Sequence, residues 1–438
     1  MGIYSYEEAF GGWDKTSGAM RRAIHNWQKL YYGTPSDGLD PCQRVAYSVV
    51  SKIVRTVFGE YGVTSRDPFT DQLLKSLAPL SRQAVEAALI GGSCYLKPCP
   101  HGTGFSFTLI PRSNVLIFGR NSAGEVTDIG TVARSTYGRC YYTLLERRTL
   151  DNGGYLTITN RLFRAYNADT LGVQVPLNSL PDYEKLPVQY RFAVPINSIG
   201  MVEVKTPMLN CVDGSPDGVS VFAPAAELIA RIDENEKQLR EEFIRGQSRI
   251  IASRDLLKTD EQGNRLLEDH LFVGLDDDPE QVGITIFSPT LRQTAYLERK
   301  QEYLRNVETV IGLKRGMLSD ANAEDRTATE ISSSAGDYNL TVMDFQRMWT
   351  EALEKLIALC SCLARLYKIG DPPESPVFSV DWGNGILYDE AKTWEEYRQM
   401  VADGLVRPEI ALGWRFNMPA DTQEQLQAIR RKYMPEQA

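Results

Sequence analysis

Between Val221 and Leu313 the chain runs through a long charged helix, a small acidic insert and a second charged helix, and this order constrains the fold more than any other feature. From Val221 to Arg245 the charged residues Glu227, Arg231, Asp233, Glu234, Glu236, Lys237, Arg240, Glu241, Glu242 and Arg245 crowd around a thin stripe of Leu228, Ile229, Ile232, Leu239 and Phe243. Such a helix spans roughly 38 Å, and Gly246 stops it. So narrow a stripe buries little in a monomer. The helix either bridges through solvent or packs against copies of itself. Residues 248–290 read as a compact β insert, with strands at Arg249–Ala252, Leu271–Leu275 and Gly283–Phe287. Nine acidic and four basic residues give this insert −5 of the chain's net −9. The second charged helix covers about Leu291–Leu313. The pattern is a stalk with a tip.

The flanks supply the rest of an α+β chain of 438 residues. Residues 1–62 read as helical. Pro41 opens a helix on which Ala46, Val49, Val50, Ile53 and Val57 recur at helical steps. A further helix runs from about Asp71 to Ile90 and stops at Gly91-Gly92. From 93 to 205 short strands alternate with turns, including His101–Gly104, Asn121–Gly124 and Asp151–Gly154. Residues 166–198 have no period and read as a long loop. Beyond the stalk, Lys314–Asp320 opens a polar loop that continues to Arg326. Thr327-Ala328-Thr329-Glu330 has capping-box spacing and starts a helical pattern reaching Lys368, roughly 60 Å long. The weak helix formers Ser332–Gly336 predict a bend there. Pro372, Pro373 and Pro376 break the pattern, Val377–Trp382 alternates as a strand, and helices follow at Asp389–Asp403, after Pro408, and at Thr422–Tyr433.

Several function classes find no support. Hydrophobic residues at 42% and charged ones at 24% exclude wholesale disorder. No run of about 18 apolar residues predicts a membrane span, and the first residues do not read as a secretory signal. Gly2 carries little myristoylation signal, because Tyr6 stands where Ser or Thr is preferred. The seven cysteines are scattered, which suits folding in a reducing cytoplasm. No Gly-Lys dipeptide exists to build a Walker A loop, and no Gly-x-Ser-x-Gly elbow occurs. His25, His101 and His270 are too far apart for a zinc-protease helix. Cys94, Cys99 and His101 read as a structural cysteine pair beside a loop histidine, and Asp276-Asp277-Asp278 as an acidic turn before Pro279. No cofactor or metal is expected, although a distributed pair of catalytic carboxylates stays open.

Four stretches, taken in order, resemble the portal proteins of tailed bacteriophages, in particular those of long-tailed phages. They are Ala87–Gly92 with Ile110–Val115; Asn210 through Phe222, leading by way of Arg231-Ile232-Asp233 to Gly246–Ile251; Ile311-Gly312-Leu313 with Thr327–Ile331; and Met400–Leu405. The resemblance implies a ring of about twelve subunits at one capsid vertex, assembled in the host cytoplasm, with a channel for double-stranded DNA. It implies a structural protein, not an enzyme.

Its partners would be the major capsid and scaffolding proteins, the large terminase subunit, and later the head-completion adaptor and tail, with no membrane. By the same resemblance 63–220 and 327–386 form a wing, 221–247 and 291–313 the stem, 248–290 the clip, 314–326 a tunnel loop and 387–438 the crown, after an N-terminal helical segment 1–62. DNA contact would fall to Lys314, Arg315, Ser319, Asp320, Asn322 and Arg326. Terminase or adaptor contact would fall to Lys258, Asp260, Glu261, Asp276, Asp277 and Asp278. Stem contacts between subunits would use Arg231, Glu234, Lys237, Arg240, Glu241, Arg299, Glu302 and Arg305. Lys314 and Arg315 read equally well as a solvated pair favourable to a helix C-terminus. Two other readings are a metal-dependent enzyme acting on nucleic acid and a monomeric interaction protein binding through 248–290.

Overall fold

A computed structural model describes residues 5–33, 42–102, 104–247, 249–253, 272–275, 285–287, 289–320, 328–383, 390–416, 418, 420 and 422–434. The chain opens with α1 (Tyr6–Phe10), α2 (Gly18–Tyr32) and α3 (Val45–Val57), then β1 (Gly62–Ser65) and α4 (Pro68–Gly91). The start of α4 follows from its sequence. Asp67 accepts the Thr70 amide at 2.7 Å, and Pro68 presets the first turn. Gly92, at φ +84°, ends it in the left-handed region.

The strands follow. β2 (Ser93–His101) and β3 (Gly104–Pro111) form a hairpin. β4 (Val115–Arg120), β5 (Val126–Tyr137), β6 (Cys140–Leu150) and β7 (Leu156–Ala165) form an antiparallel meander. The expected loop 166–198 is mostly irregular but contributes two short strands, β8 (Val173–Val175) and β9 (Gln189–Arg191), which both pair with β7. Pairing to an existing edge organised three-residue segments that have no period of their own. β10 (Val202–Lys205) completes a small sheet against β2.

Next come α5 (Ala226–Arg245), the insert strands β11 (Arg249–Ser253), β12 (Phe272–Leu275) and β13 (Thr285–Phe287), and α6 (Gln293–Ile311). Within the insert β11 lies between its partners, parallel to β12 and antiparallel to β13. α7 (Ala328–Tyr367) is helical throughout, so Ser332–Gly336 does not interrupt it. β14 (Phe378–Asp381) pairs antiparallel with β1, and α8 (Glu390–Ala402), α9 (Pro408–Arg415) and α10 (Gln423–Tyr433) end the chain.

One large core joins α2, α3, α4 and α7 to the small sheet and to the roots of α5 and α6. Along α7 the buried residues Val342, Phe345, Trp349, Leu353, Leu356, Cys360 and Leu363 step by three and four, as expected of a core-facing stripe. Trp349 donates its indole N–H to the Tyr61 hydroxyl at 3.1 Å. Of the helices of 1–62, α2 and α3 are therefore part of the main core. α1 lies across the meander, with Ala9 and Phe10 buried against Phe118, Val132 and Leu145.

Candidate functional site

α5 and α6 pack as an antiparallel hairpin whose two halves differ in chemistry. Near the root the buried residues are Ile229 and Ile232 on α5 and Leu304, Val307 and Ile311 on α6. Further out the hairpin is joined by polar groups. The Asn235 side-chain amide donates to the Tyr296 carbonyl at 3.1 Å and accepts from Arg299 Nε at 2.6 Å. Arg299 also donates to Gln238 at 2.6 Å. Beyond these, the Arg292 guanidinium grips Glu242 at 3.0 and 2.7 Å, and this hydrogen bonding lowers the Glu242 pKa. Phe243, Ile244 and Leu297 stand 42%, 51% and 44% exposed in this outer half.

Of the residues expected between stem copies, Arg231, Glu234, Lys237 and Arg240 are exposed on α5. Glu241 pairs along its own helix with Arg245 at 3.2 Å, and Glu302 with Arg305 at 3.6 Å. Arg299 is engaged within its own hairpin.

Where α6 ends, the chain folds back on it. Gly312, at φ +77°, caps the helix, and the Lys314 carbonyl accepts the Met317 amide at 3.2 Å. Gly316, at φ +87°, occupies the third position of that turn, as a type II turn requires. The turn is held by Glu308, which is 1% exposed. One carboxylate oxygen accepts the amides of Leu318 and Ser319, at 2.5 and 2.9 Å. The other accepts the Gly316 amide at 3.1 Å and the Ser319 hydroxyl at 2.8 Å. Gln301 takes the Asp320 amide at 2.8 Å.

Lys314 and Arg315 are exposed at the turn, and Asp320 is exposed beyond it. Ser319 corrects an expectation: it is 7% exposed and its hydroxyl is spent on Glu308, so it is not a surface group. Asn322, Arg326, Lys258, Asp260, Glu261, Asp276, Asp277 and Asp278 lie outside the described residues.

The hairpin root meets the rest of the molecule at a junction built by 210–222. Asn210 is its hub. Its side-chain oxygen accepts the Val212 amide at 2.8 Å, and its nitrogen donates to Asp213 at 2.9 Å and to the Ser215 carbonyl at 3.1 Å. Asp217 bonds Arg120 at 2.5 Å and stands 3.6 Å from Arg112, whose guanidinium is itself 3% exposed. Gly218 crosses Gly92 so closely that a Cβ on either would overlap the other's carbonyl oxygen. Ser220 Oγ and the Val221 amide both bond the Leu89 carbonyl at 2.9 Å, which ties the entry of α5 to the end of α4.

The expected cysteine pair is not a pair. Cys94 is buried and donates to the Ala84 carbonyl at 3.1 Å, while Cys99, an odd number of residues along the same strand, lies near the Thr108 hydroxyl. Burial drives the Cys94 pKa upward. Among the described residues no group of three His, Cys, Asp or Glu is placed to hold a metal ion, and no helix is long and apolar enough to cross a membrane.

The family profile described as "Phage portal protein, SPP1 Gp6-like" matches residues 131–436, well over half of the chain. The chain belongs to this portal protein family. Portal proteins are structural and non-enzymatic, with roles in DNA packaging and head–tail connection typical of the family. A search of curated proteins finds no match. The portal match takes in the hairpin, the fold-back turn and α7 to α10. It leaves out residues 1–130, including Gly92, although Gly92 is one half of the junction that Gly218 needs.

Residue-by-residue reading of the sequence missed Glu308, Asn235 and Asp217. For the first two a signal existed. Glu308 lies four residues after Leu304, and Asn235 three after Ile232, so both fall on the apolar stripe of a helix.

Proposed function

We propose that this portal chain assembles into a ring of about twelve subunits at a capsid vertex, around a channel through which double-stranded DNA enters and leaves. In this reading the α5–α6 hairpins form the stem around the channel. The insert 248–290 is the tip that docks the large terminase subunit, then the head-completion adaptor and tail. The sheets and α7 face the major capsid and scaffolding proteins, and Lys314 and Arg315 give weak, sequence-independent contacts to phosphates. The carrying observation is the outer hairpin. Phe243, Ile244 and Leu297 are left in water by a monomer, and exposed charges run along α5 from Arg231 through Glu234 and Lys237 to Arg240. Neighbouring hairpins in a closed ring would cover the first set and pair the second. The net charge of −9 suits a conduit, because a strongly basic wall would hold the duplex.

Native mass of the purified chain tests the proposal. The expected species has about twelve times the chain mass of 49.2 kDa. A monomer that persists at high concentration and with scaffolding protein present would overturn the ring.

A further inference from the structure

We propose that Glu308 is a positioning residue that holds Lys314 and Arg315 as a preformed basic knob on each subunit, instead of leaving them on a flexible tether. What the knob touches rests on the portal reading above. The clamp itself rests on geometry. A carboxylate almost removed from water takes four hydrogen bonds, two on each oxygen, from residues eight to eleven positions further along. An unpaired carboxylate at that burial would be costly, so the fold-back turn and the buried charge require each other. A second tether, Gln301 to the Asp320 amide, holds the far side. Leu313 is buried, and Met317 and Leu318 pack on the main core. A turn with two side-chain tethers and three apolar anchors moves with α6 and not independently of it. Lys314 and Arg315, at the first and second positions of that turn, are exposed from a rigid base. Each subunit therefore offers its positive charge at one fixed place relative to the stem helix.

The test uses assembled rings of wild type, E308D, E308A and the K314A/R315A double variant. E308D keeps the charge but is one methylene too short to reach all four donors. It also guards against a failure of E308A to fold. Amide hydrogen exchange at Gly316, Leu318 and Ser319 is expected to quicken at least about tenfold in E308D, with α5 and the body of α6 unchanged. The salt dependence of duplex binding is expected to flatten in E308D towards that of K314A/R315A, because displaced charges no longer release the same counterions. Wild-type exchange rates in E308D would overturn the clamp. Faster exchange with an unchanged salt slope would overturn its positioning role. If K314A/R315A itself leaves the slope unchanged, the DNA reading of the turn falls, and the exchange ratio alone decides the clamp.

Discussion

The root and the outer half of the α5–α6 hairpin solve the same problem, holding two helices together, by opposite means. The root is dry. Ile229, Ile232, Val307 and Ile311 bury against the main core, and the Gly92–Gly218 crossing locks α5 to the end of α4. The outer half uses Asn235, Gln238, Glu242, Arg292 and Arg299, with apolar Phe243, Ile244 and Leu297 turned outwards. Apolar burial stabilises a chain by itself, whereas exposed polar pairs add little and mainly fix geometry. The root is thus anchored in the core of the chain, and the outer half leaves apolar side chains in water. The same contrast separates ion pairs. In the meander Glu146 is buried between Arg148 at 2.7 Å and Lys97 at 3.1 Å, while Glu242, itself half-buried, is met by an exposed Arg292.

The largest expected effect lies at the root. Gly218→Ala would drive a Cβ into the Gly92 carbonyl, backbone that cannot rotate away. A loss upward of about 4 kcal/mol is expected in urea unfolding. A variant as stable as the parent would show that the junction is soft.

Next comes acid. Burial alone would raise the pKa of Glu146, but Arg148 and Lys97 outweigh it and hold the group at about 2, below an ordinary 4.5. A folded value below the unfolded one means stability fully present above about pH 4.5 and lost as pH falls towards 2, on the order of 3 kcal/mol in all. Glu146→Gln should flatten that acid slope. An unaltered slope would assign acid sensitivity elsewhere.

Asn235→Ala sits at the boundary between the two halves and should cost about 1–2 kcal/mol, read from thermal unfolding, because it removes a buried bridge between helices. Arg292→Ala, out in solvent, should leave the melting temperature of the chain where it was. A drop matching that of Asn235→Ala would erase the distinction between root and outer half.

Much of this architecture is visible in the residues because helices announce themselves locally. The charged stripe of α5 and the four-and-three stepping from Tyr338 to Leu363 along α7 are written in consecutive residues. So is Gly92 as a stop. What Gly92 also does, passing against Gly218, depends on a neighbour remote in sequence and leaves no periodic trace. β8 and β9 were hidden for a related reason, since the edge of β7 organises them. Ser319, a DNA contact by the resemblance, is turned inwards because the carboxylate that claims it lies on the preceding helix. A polar loop opening at Lys314 was legible in the residues, but not the fold-back turn that its first seven positions build on α6. Reading Glu308 as an acid on an apolar stripe would have supplied the missing half.

The pairing of Val63 with Val380 has a consequence for synthesis. Tyr61 and the strand beside it leave the ribosome long before Trp349 and β14, which cover them. At ~5–20 residues per second the interval is on the order of half a minute. Through that time the apolar sides of α3 and α4 have no α7 to rest on. Nascent portal subunits should therefore lean on ribosome-associated chaperones, and slowing translation ahead of α7 should lower the yield of folded protein more than slowing it after β14.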